Sequence, residues 1–481
     1  MLLMSNKYTK IGVLLVVYIT GVQLMQVFNK DELDKDADPI HFNGKVGYPD
    51  ISLPVLDSLL ERAYKEGKAN ILGKTAIFYV HHPLQTSINV VDALIHLGAK
   101  PKNLFILGKR YSECESVVST LVQKGVHYQP CSMQTALGQY SHSFIRDINW
   151  LWAKMVEKLD SQVEQILVMD HGGHAITYLP LALLEHYKVI GIEKTTAGFI
   201  NSERHGTPPI PVIDVANSAA KRFLESSLIA ETVVNKIDAY LPENINDFVF
   251  GVVGFGAIGK AVVNRLQQLG CRLIVHDIDS SQQHSIGKTK NIIFTNDMSA
   301  LVASADYIFG CSGRDISEGQ LEQLRLATRN KTLISCSSED KEYLSFLQMI
   351  NRQMPTVFDP MDDIEFKTEF GASVHLLRGG FPVNFDNTGE SVPANDIQLT
   401  RSLVVAAVLQ ASDYLNTTVL NGVYALDATY QRFVINEWLK HQDDPRIDRE
   451  NLTCFLDEDW LANHSNSAIS EFRGVLESER R

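Results

Sequence analysis

No two cysteines of this chain are spaced Cys-x-x-Cys. Six cysteines (Cys114, Cys131, Cys271, Cys311, Cys336 and Cys454) lie scattered over 481 residues. That pattern excludes a disulfide scaffold or a Cys-rich zinc module and leaves reduced thiols as the simplest state. Low-complexity tracts are missing, and so is any repeat of roughly 20–50 residues, which excludes a solenoid or propeller. An excess of positive charge is missing too. Lys and Arg number 44 against 57 Asp and Glu, a net charge of −13. Such a surface argues against nucleic acid or an anionic membrane as partner. What is present is ordinary globular material. With 45% hydrophobic and 21% charged residues the chain is not a disordered acidic one. Its length allows about three domains and a core that needs no disulfides.

One segment departs from that picture. Residues 11–28 are nearly all apolar, with Lys7 and Lys10 before them and an acidic run from Asp31 to Asp38 after them. Eighteen residues stand at the lower edge of a membrane span, and the positive-inside rule would then place the remainder outside the cytosol. A signal peptide would need a small-x-small cleavage site before Asn29, and none is visible. The competing readings are a buried segment interrupted by Thr20, Gln23 and Gln26, an interfacial helix, or a chain that starts at Met25. The acidic run reads as a solvated linker. A cytoplasmic location is expected, with membrane association through 11–28 as the alternative.

Downstream, short apolar runs alternate with amphipathic stretches. Ala76–Val80, Asn103–Leu107, Gln165–Met169 and Val189–Ile192 read as buried strands, and Ser87–Leu97 as a helix ending near Gly98. This alternation is the signature of an α/β fold with a mainly parallel sheet. Asn217–Tyr240 reads as one long helix, followed by a turn over Pro242–Asn246.

The clearest motif comes next. The strand Phe248–Val253 runs into Gly254-Phe255-Gly256-Ala257-Ile258-Gly259, then a helix over Lys260–Leu269, then the strand Cys271–His276 ending in Asp277. Gly254 permits a tight turn, Gly256 lets the backbone approach a pyrophosphate, and Gly259 lets the helix pack close to the strand. The helix N-terminus, at Ala257 and Ile258, offers free N–H groups to phosphates. Asp277, 23 residues after Gly254, can accept from the ribose hydroxyls and would repel a 2′-phosphate, so NAD is expected over NADP. Strands at Ile292–Phe294, Tyr307–Gly310 and Thr332–Ser335 read as the second half of the same sheet, with Cys311-Ser312-Gly313 at the cofactor crevice or as a plain polar turn.

These residues resemble the cofactor domain of the adenosylhomocysteinase family, and segments outside the motif extend the likeness. Met169–His174 (MDHGGH) resembles that family's Asp-Asp-Gly-Gly-Asp turn. Glu193–Gly198 (EKTTAG) resembles its Glu-Glu-Thr-Thr-Thr-Gly, Ile213–Lys221 (IDVANSAAK) the stretch bearing its active-site lysine, and Phe366–Asn384 the segment that returns to the substrate domain. The likeness covers roughly residues 70–415. It implies tightly bound NAD that oxidises the 3′-hydroxyl of a substrate ribose, so that the neighbouring 4′ proton can be removed, homocysteine can leave, and water can add.

Carried over residue by residue, the resemblance implies an acid/base role for His82 and a part for Lys221 in deprotonating the hydroxyl. It places Thr195 and Thr196 at the nicotinamide ribose, with Ala197 for a third threonine, and Asn384 near the carboxamide. Elsewhere the pattern departs. His171 stands for an aspartate that works on the leaving group, and Lys194 for a glutamate that binds the ribose diol. Glu225 and Ser226 stand for aspartate and asparagine, and Leu84 and Thr86 for the threonine and glutamate of the adenine side. Ser338 replaces a histidine, Glu390 falls near the place of another, and the Lys…Tyr pair of the family's tail is missing. A Glu-to-Lys change inverts the charge at a diol site, so hydrolysis of adenosylhomocysteine itself is doubtful.

Each candidate also has a bland reading. His82 could be a satisfied loop histidine, Lys221 a solvated helix lysine, and Lys194 a salt-bridge partner of Glu193 or Asp170 rather than a carboxylate or phosphate anchor. Asp170, His171 and His174 show no evident third metal ligand, so no metal is expected. Arg204 and His205 could meet an anion or be a solvated loop.

The expectation is therefore two doubly wound α/β domains, an NAD-binding Rossmann domain inserted in a discontinuous substrate-type domain. Residues 1–39 form the apolar segment and linker, 40–225 the first part of the substrate-type domain, 226–389 the NAD domain, 390–440 the return, and 441–481 a tail. The expected activity is reversible oxidation of an alcohol on a small molecule by bound NAD, with His82, His171, Lys194 and Lys221 as acid/base and anchoring groups. The family suggests a homo-oligomer. A non-catalytic NAD-binding regulator is the second reading. A 2-hydroxyacid dehydrogenase is the third, ranked last because Ser335-Cys336-Ser337-Ser338 does not fit its pattern.

Overall fold

Seven strands build the first sheet; the inner ones are apolar and buried on both faces, as a parallel sheet under two layers of helices requires, and the two edge strands are half-buried. In the computed structural model they are β1 (Thr75–His81), β2 (Leu104–Gly108), β3 (His127–Pro130), β4 (Gln165–Asp170), β5 (Lys188–Glu193), β6 (Pro211–Asp214) and, much later in the chain, β14 (Gly422–Ala425). They form one parallel sheet in the order β14-β6-β5-β4-β1-β2-β3. Every residue of β1 is buried. Its side chains alternate between two cores, Ile77 and Tyr79 in one and Ala76, Phe78 and Val80 in the other, as the two-residue period of a strand dictates.

A second sheet holds β7 (Val249–Val253), β8 (Arg272–His276), β9 (Ile292–Phe294), β10 (Tyr307–Gly310), β11 (Lys331–Ser335), β12 (Ile364–Lys367) and β13 (Ser373–Leu376). Its order is β12-β13-β11-β10-β7-β8-β9, and only the edge strand β12 is antiparallel. In both sheets the first strand lies beside the fourth, β1 beside β4 and β7 beside β10. Connections leave in opposite directions there and open a crevice at the carboxyl ends of the strands, where ligands bind in such folds. The protein thus has two parallel-sheet α/β domains, one of them Rossmann-like.

The structure describes residues 51–131, 137–202, 206–285, 291–353, 359, 361–386, 388–442 and 453–465, all within one compact unit, Gly47–Arg481. The apolar run at 11–28, the Met25 start, the acidic run Asp31–Asp38, and Arg204 with His205 lie outside them. No described helix is long and apolar enough to cross a membrane. The 22-residue helix Ala394–Leu415 is buried nearly all round instead. It packs on the helices Pro54–Lys65, Gln85–His96 and Ala428–Lys440 and on β5, and delivers the chain to β14.

One expected element differs. Asn217–Tyr240 is not a single α-helix: a π-type turn spans Lys221–Glu225, an α-helix follows over Ser226–Lys236, and a 3₁₀ turn closes at Asp238–Tyr240. Side chains distant in sequence take the N–H groups at its start. Ala219 N donates to Ser465 Oγ at 3.0 Å and Ala220 N to Gln431 Oε1 at 3.3 Å. The tail also lays Trp460 on Phe223, with ring centres 5.4 Å apart, and His464 O accepts from Arg222 Nη1 at 3.2 Å. Tertiary contacts of this kind override local helix preference.

Candidate active site

The glycine-rich turn after β7 has the geometry of a phosphate cradle. Gly254 has φ +93°, a left-handed conformation, and a Cβ there would stand 2.7 Å from Ser312 N. A Cβ on Gly259 would lie 1.8 Å from Gly254 O, so the helix Ala257–Gln268 approaches the turn as closely as glycine allows. Around Gly256 a Cβ would meet nothing within 4 Å. That open side adjoins the first N–H groups of the helix, Ala257 and Ile258 among them, which have no intrahelical acceptors. The residues therefore fit a dinucleotide pyrophosphate.

Asp277, just past β8, accepts from Phe255 N at 2.5 Å through Oδ2 and from Asp279 N at 2.9 Å through Oδ1. It shapes the turn and keeps one lone pair on each oxygen for ribose hydroxyls. Asp277→Asn removes the charge and keeps an acceptor. The ratio of NADP to NAD affinity should rise about tenfold, since a like-charge contact near a surface is worth about 1–2 kcal/mol. Titrating both nucleotides into the stripped protein measures it, and an unchanged ratio would contradict the ribose role.

Behind the cradle, the Cys311-Ser312-Gly313 turn is held by Glu342. Its carboxylate accepts from Gly313 N at 2.6 Å, Ser337 Oγ at 2.6 Å and Ser312 Oγ at 2.9 Å. Burial raises this carboxyl to about 7. The turn faces the other domain, for a Cβ on Gly313 would lie 3.4 Å from Ile200 Cδ1.

Acidic residues end three adjacent strands of the first sheet: Asp170 on β4, Glu193 on β5 and Asp214 on β6 are lateral neighbours. Each is buried and spent on backbone N–H groups of the turns that follow. Asp170 accepts from His171 N and Ile176 N. Glu193 accepts from Gly172 N, Gly173 N and Thr195 N, and Asp214 from Asn217 N. Burial first, and then the charge of Asp170, raises Glu193 to about 7. These caps aim the next side chains into the crevice.

There three of the expected residues meet. His82 Nε2 lies 3.0 Å from His171 Nε2, and His82 Nδ1 lies 2.5 Å from Ser112 Oγ. Lys194 is 4% exposed. Its Nζ donates to Val80 O at 3.0 Å and sits 4.5 Å over the Tyr79 ring, and it has no ion pair with any described carboxylate. Burial pushes its pKa well below the usual lysine value, and the nearby Arg401 adds to the fall. His82 and His171 are pushed down by burial and by the cations around them. Phe385 closes the crevice, stacked on His82 with ring centres 4.3 Å apart, and buried Asn384 precedes it.

Other expected residues go elsewhere. Lys221 pairs with Glu225 one turn on and makes no described contact with His82, His171 or Lys194. Thr195 turns toward Glu193, its Oγ1 donating at 2.7 Å, while Thr196 opens the helix Thr196–Ser202 with an exposed side chain. His174 faces Glu339 at 3.6 Å and not His171, and no group of three or more metal-ligating side chains forms among the described residues.

Sequence reasoning passed over four residues of this region. Lys109, fully buried just after β2, reaches Glu339 at 3.5 Å. Arg401, on the long helix, donates to Thr86 Oγ1 at 2.9 Å and stands 3.6 Å from Glu390. Ser112 anchors His82. Lys109 had a readable signal, its place one residue beyond a strand's carboxyl end. Glu339, Arg401 and Ser112 had none.

Fold and site together define an NAD-binding α/β protein with a histidine–lysine cluster at the strand ends of its first domain. Residues 219–328 match the family model for the D-isomer specific 2-hydroxyacid dehydrogenase NAD binding domain. Two uncharacterised proteins of Mycobacterium tuberculosis are 27% identical over 367 residues, covering 76% of this chain and 68% of theirs. Adenosylhomocysteinase of Sulfurisphaera tokodaii is 24% identical over 245 residues, covering 49% of this chain and 53% of that enzyme, so the match spans about half of it. Among solved structures, the 2-hydroxyacid dehydrogenase from Ketogulonicigenium vulgare superposes with a TM-score of 0.34 and 12% identity, over 66% of this chain and 97% of that one. The chain is weakly similar to adenosylhomocysteinase over about half its length, and its Rossmann domain is similar to the NAD-binding domain of dehydrogenases.

Proposed function

We propose that the protein is an adenosylhomocysteinase-like enzyme that uses bound NAD to oxidise, reversibly, an alcohol on an anionic small molecule other than adenosylhomocysteine. The observation that carries this reading is the buried Lys194 Nζ, in no ion pair with a described carboxylate, beside the bonded His82–His171 pair. Burial disfavours the charged form of Lys194 even with Glu193 and Asp170 nearby, and a carboxylate or phosphate on the substrate would favour it. Bound NAD supplies a hydride acceptor. The chain's own groups orient the substrate through Lys194, hold its hydroxyl at the histidines, and exclude water with Phe385.

The test has two stages. Denatured protein should release NAD, and addition of anionic alcohols should then produce the absorbance of bound reduced nicotinamide. Lys194→Met should raise KM for such a substrate about thirtyfold, the loss of a charge-assisted hydrogen bond worth about 2 kcal/mol. An unchanged KM would remove Lys194 from the substrate site. One observation favours a regulator without catalysis: the stacked Phe385 leaves His82 only 6% exposed. On that reading no alcohol reduces the nucleotide.

A further inference from the structure

The contacts of His82 dictate where the protons of the histidine pair sit. Ser112 has one hydroxyl proton, and it is donated to Lys109 O at 2.9 Å. The same oxygen lies 2.5 Å from His82 Nδ1, so that nitrogen is the donor. A neutral imidazole carries a single N–H, which leaves His82 Nε2 bare. His82 Nε2 is 3.0 Å from His171 Nε2, and the proton between them must come from His171. The bare nitrogen of His171 is then Nδ1.

Both rings are neutral for reasons visible around them. They are buried, and the cations of Lys109 beyond β2, Lys194 beyond β5 and Arg401 on the long helix face the pair. His81 on β1 is neutral for the same reasons. Glu339 is the opposing charge, and it is already paired with Lys109 and Lys341. Phe385, which covers His82, is uncharged. The lone pair on His171 Nδ1 can accept a proton, and an anionic substrate held at Lys194 would offset the cations that disfavour imidazolium here.

We propose that His171 is the catalytic base and acts through Nδ1, and that Ser112 and His82 are positioning residues that hold it in the Nε2–H tautomer. This rests on the alcohol-oxidising function proposed above. In the step, the alcohol O–H bond breaks and its proton goes to His171 Nδ1. The electron pair left on oxygen would form the carbonyl as the C–H bond breaks, and NAD held at the glycine-rich turn would be the two-electron oxidant that takes the hydride. The new charge is shared along the chain, because the Nε2 proton of His171 can move to His82 Nε2.

The tautomers are measurable without any substrate. Nitrogen-15 NMR of the full chain labelled in histidine, with His82→Gln and His171→Gln to assign the signals, should show the proton on Nδ1 of His82 and on Nε2 of His171. A proton on Nε2 of His82 overturns the proposal. Ser112→Ala should mix the tautomers of both rings and lower kcat about tenfold with KM unchanged, and Ser112→Thr should restore both. Unaltered tautomers and kcat in Ser112→Ala overturn the positioning role. Failure of every alcohol to reduce the nucleotide overturns the function and the base role together, while the spectrum of the unmodified protein still decides the proton arrangement.

Discussion

Glu339→Ala should unfold at a markedly lower urea concentration than the unaltered protein, with a loss of about 3–5 kcal/mol. Glu339 is 1% exposed and ties the two domains together. From beyond β11 it meets Lys341 at 3.0 Å. From the first domain it meets Lys109 at 3.5 Å, His174 at 3.6 Å and Ser141 Oγ at 3.1 Å. Removing the carboxylate strands the fully buried Lys109 ammonium, and an uncompensated buried charge costs far more than a surface pair contributes. The backbone offers a control. Glu339 has φ +68°, a conformation costly for a residue with a Cβ, so Glu339→Gly should recover roughly 1 kcal/mol relative to alanine.

The same site carries a pH signature. Burial alone would raise the Glu339 carboxyl, but Lys341, Lys109 and His174 outweigh it and hold the carboxyl well below its usual value. A depressed folded pKa contributes stability that is complete above the unfolded value, about 4.3, and is lost as pH falls through the folded one. Stability of the unaltered protein should therefore fall more steeply in acid than that of Glu339→Ala. Parallel curves would show that the clasp is not ionised.

Most of the fold was legible because its strands obey a local rule. β1 reads as a strand because parallel strands buried on both faces are apolar without interruption, and the glycine fingerprint reads because its backbone leaves no room for other residues. The site was legible only in part. His82, His171 and Lys194 follow strand ends, where crevices form, so their positions carried a signal. Lys221 sits at a comparable place in the resemblance, yet Glu225 four residues on captures its ammonium. Glu339, Ser112 and Arg401 matter through partners far away in the chain: Lys109 is 230 residues from Glu339, and Thr86 is 315 from Arg401. Nothing local marks such residues. The start of the interrupted helix before Lys221 is held in the same long-range way, by Gln431 and Ser465 from far along the sequence.

Substitution of the two glycines at the cradle should separate binding from folding. Gly256 has φ −73° and ψ −161°, a backbone that alanine adopts freely, and its Cβ would touch no protein atom within 4 Å. Gly256→Ala should therefore leave the thermal stability of nucleotide-free protein unchanged within about 0.5 kcal/mol. The methyl would nonetheless occupy the side from which a pyrophosphate approaches, and NAD affinity should fall about a hundredfold, roughly 3 kcal/mol. Gly259→Ala behaves differently, because its methyl would lie 1.8 Å from Gly254 O. The helix must move off the turn, which should cost about 1–3 kcal/mol in the nucleotide-free protein and weaken NAD through loss of the N–H cradle. Calorimetric titration and thermal unfolding of the two variants, side by side, measure both effects. A Gly256→Ala protein that binds NAD as tightly as the original would mean that the phosphates do not pass over this turn. Tight binding to Gly259→Ala would mean that close helix packing is not what positions the N–H groups.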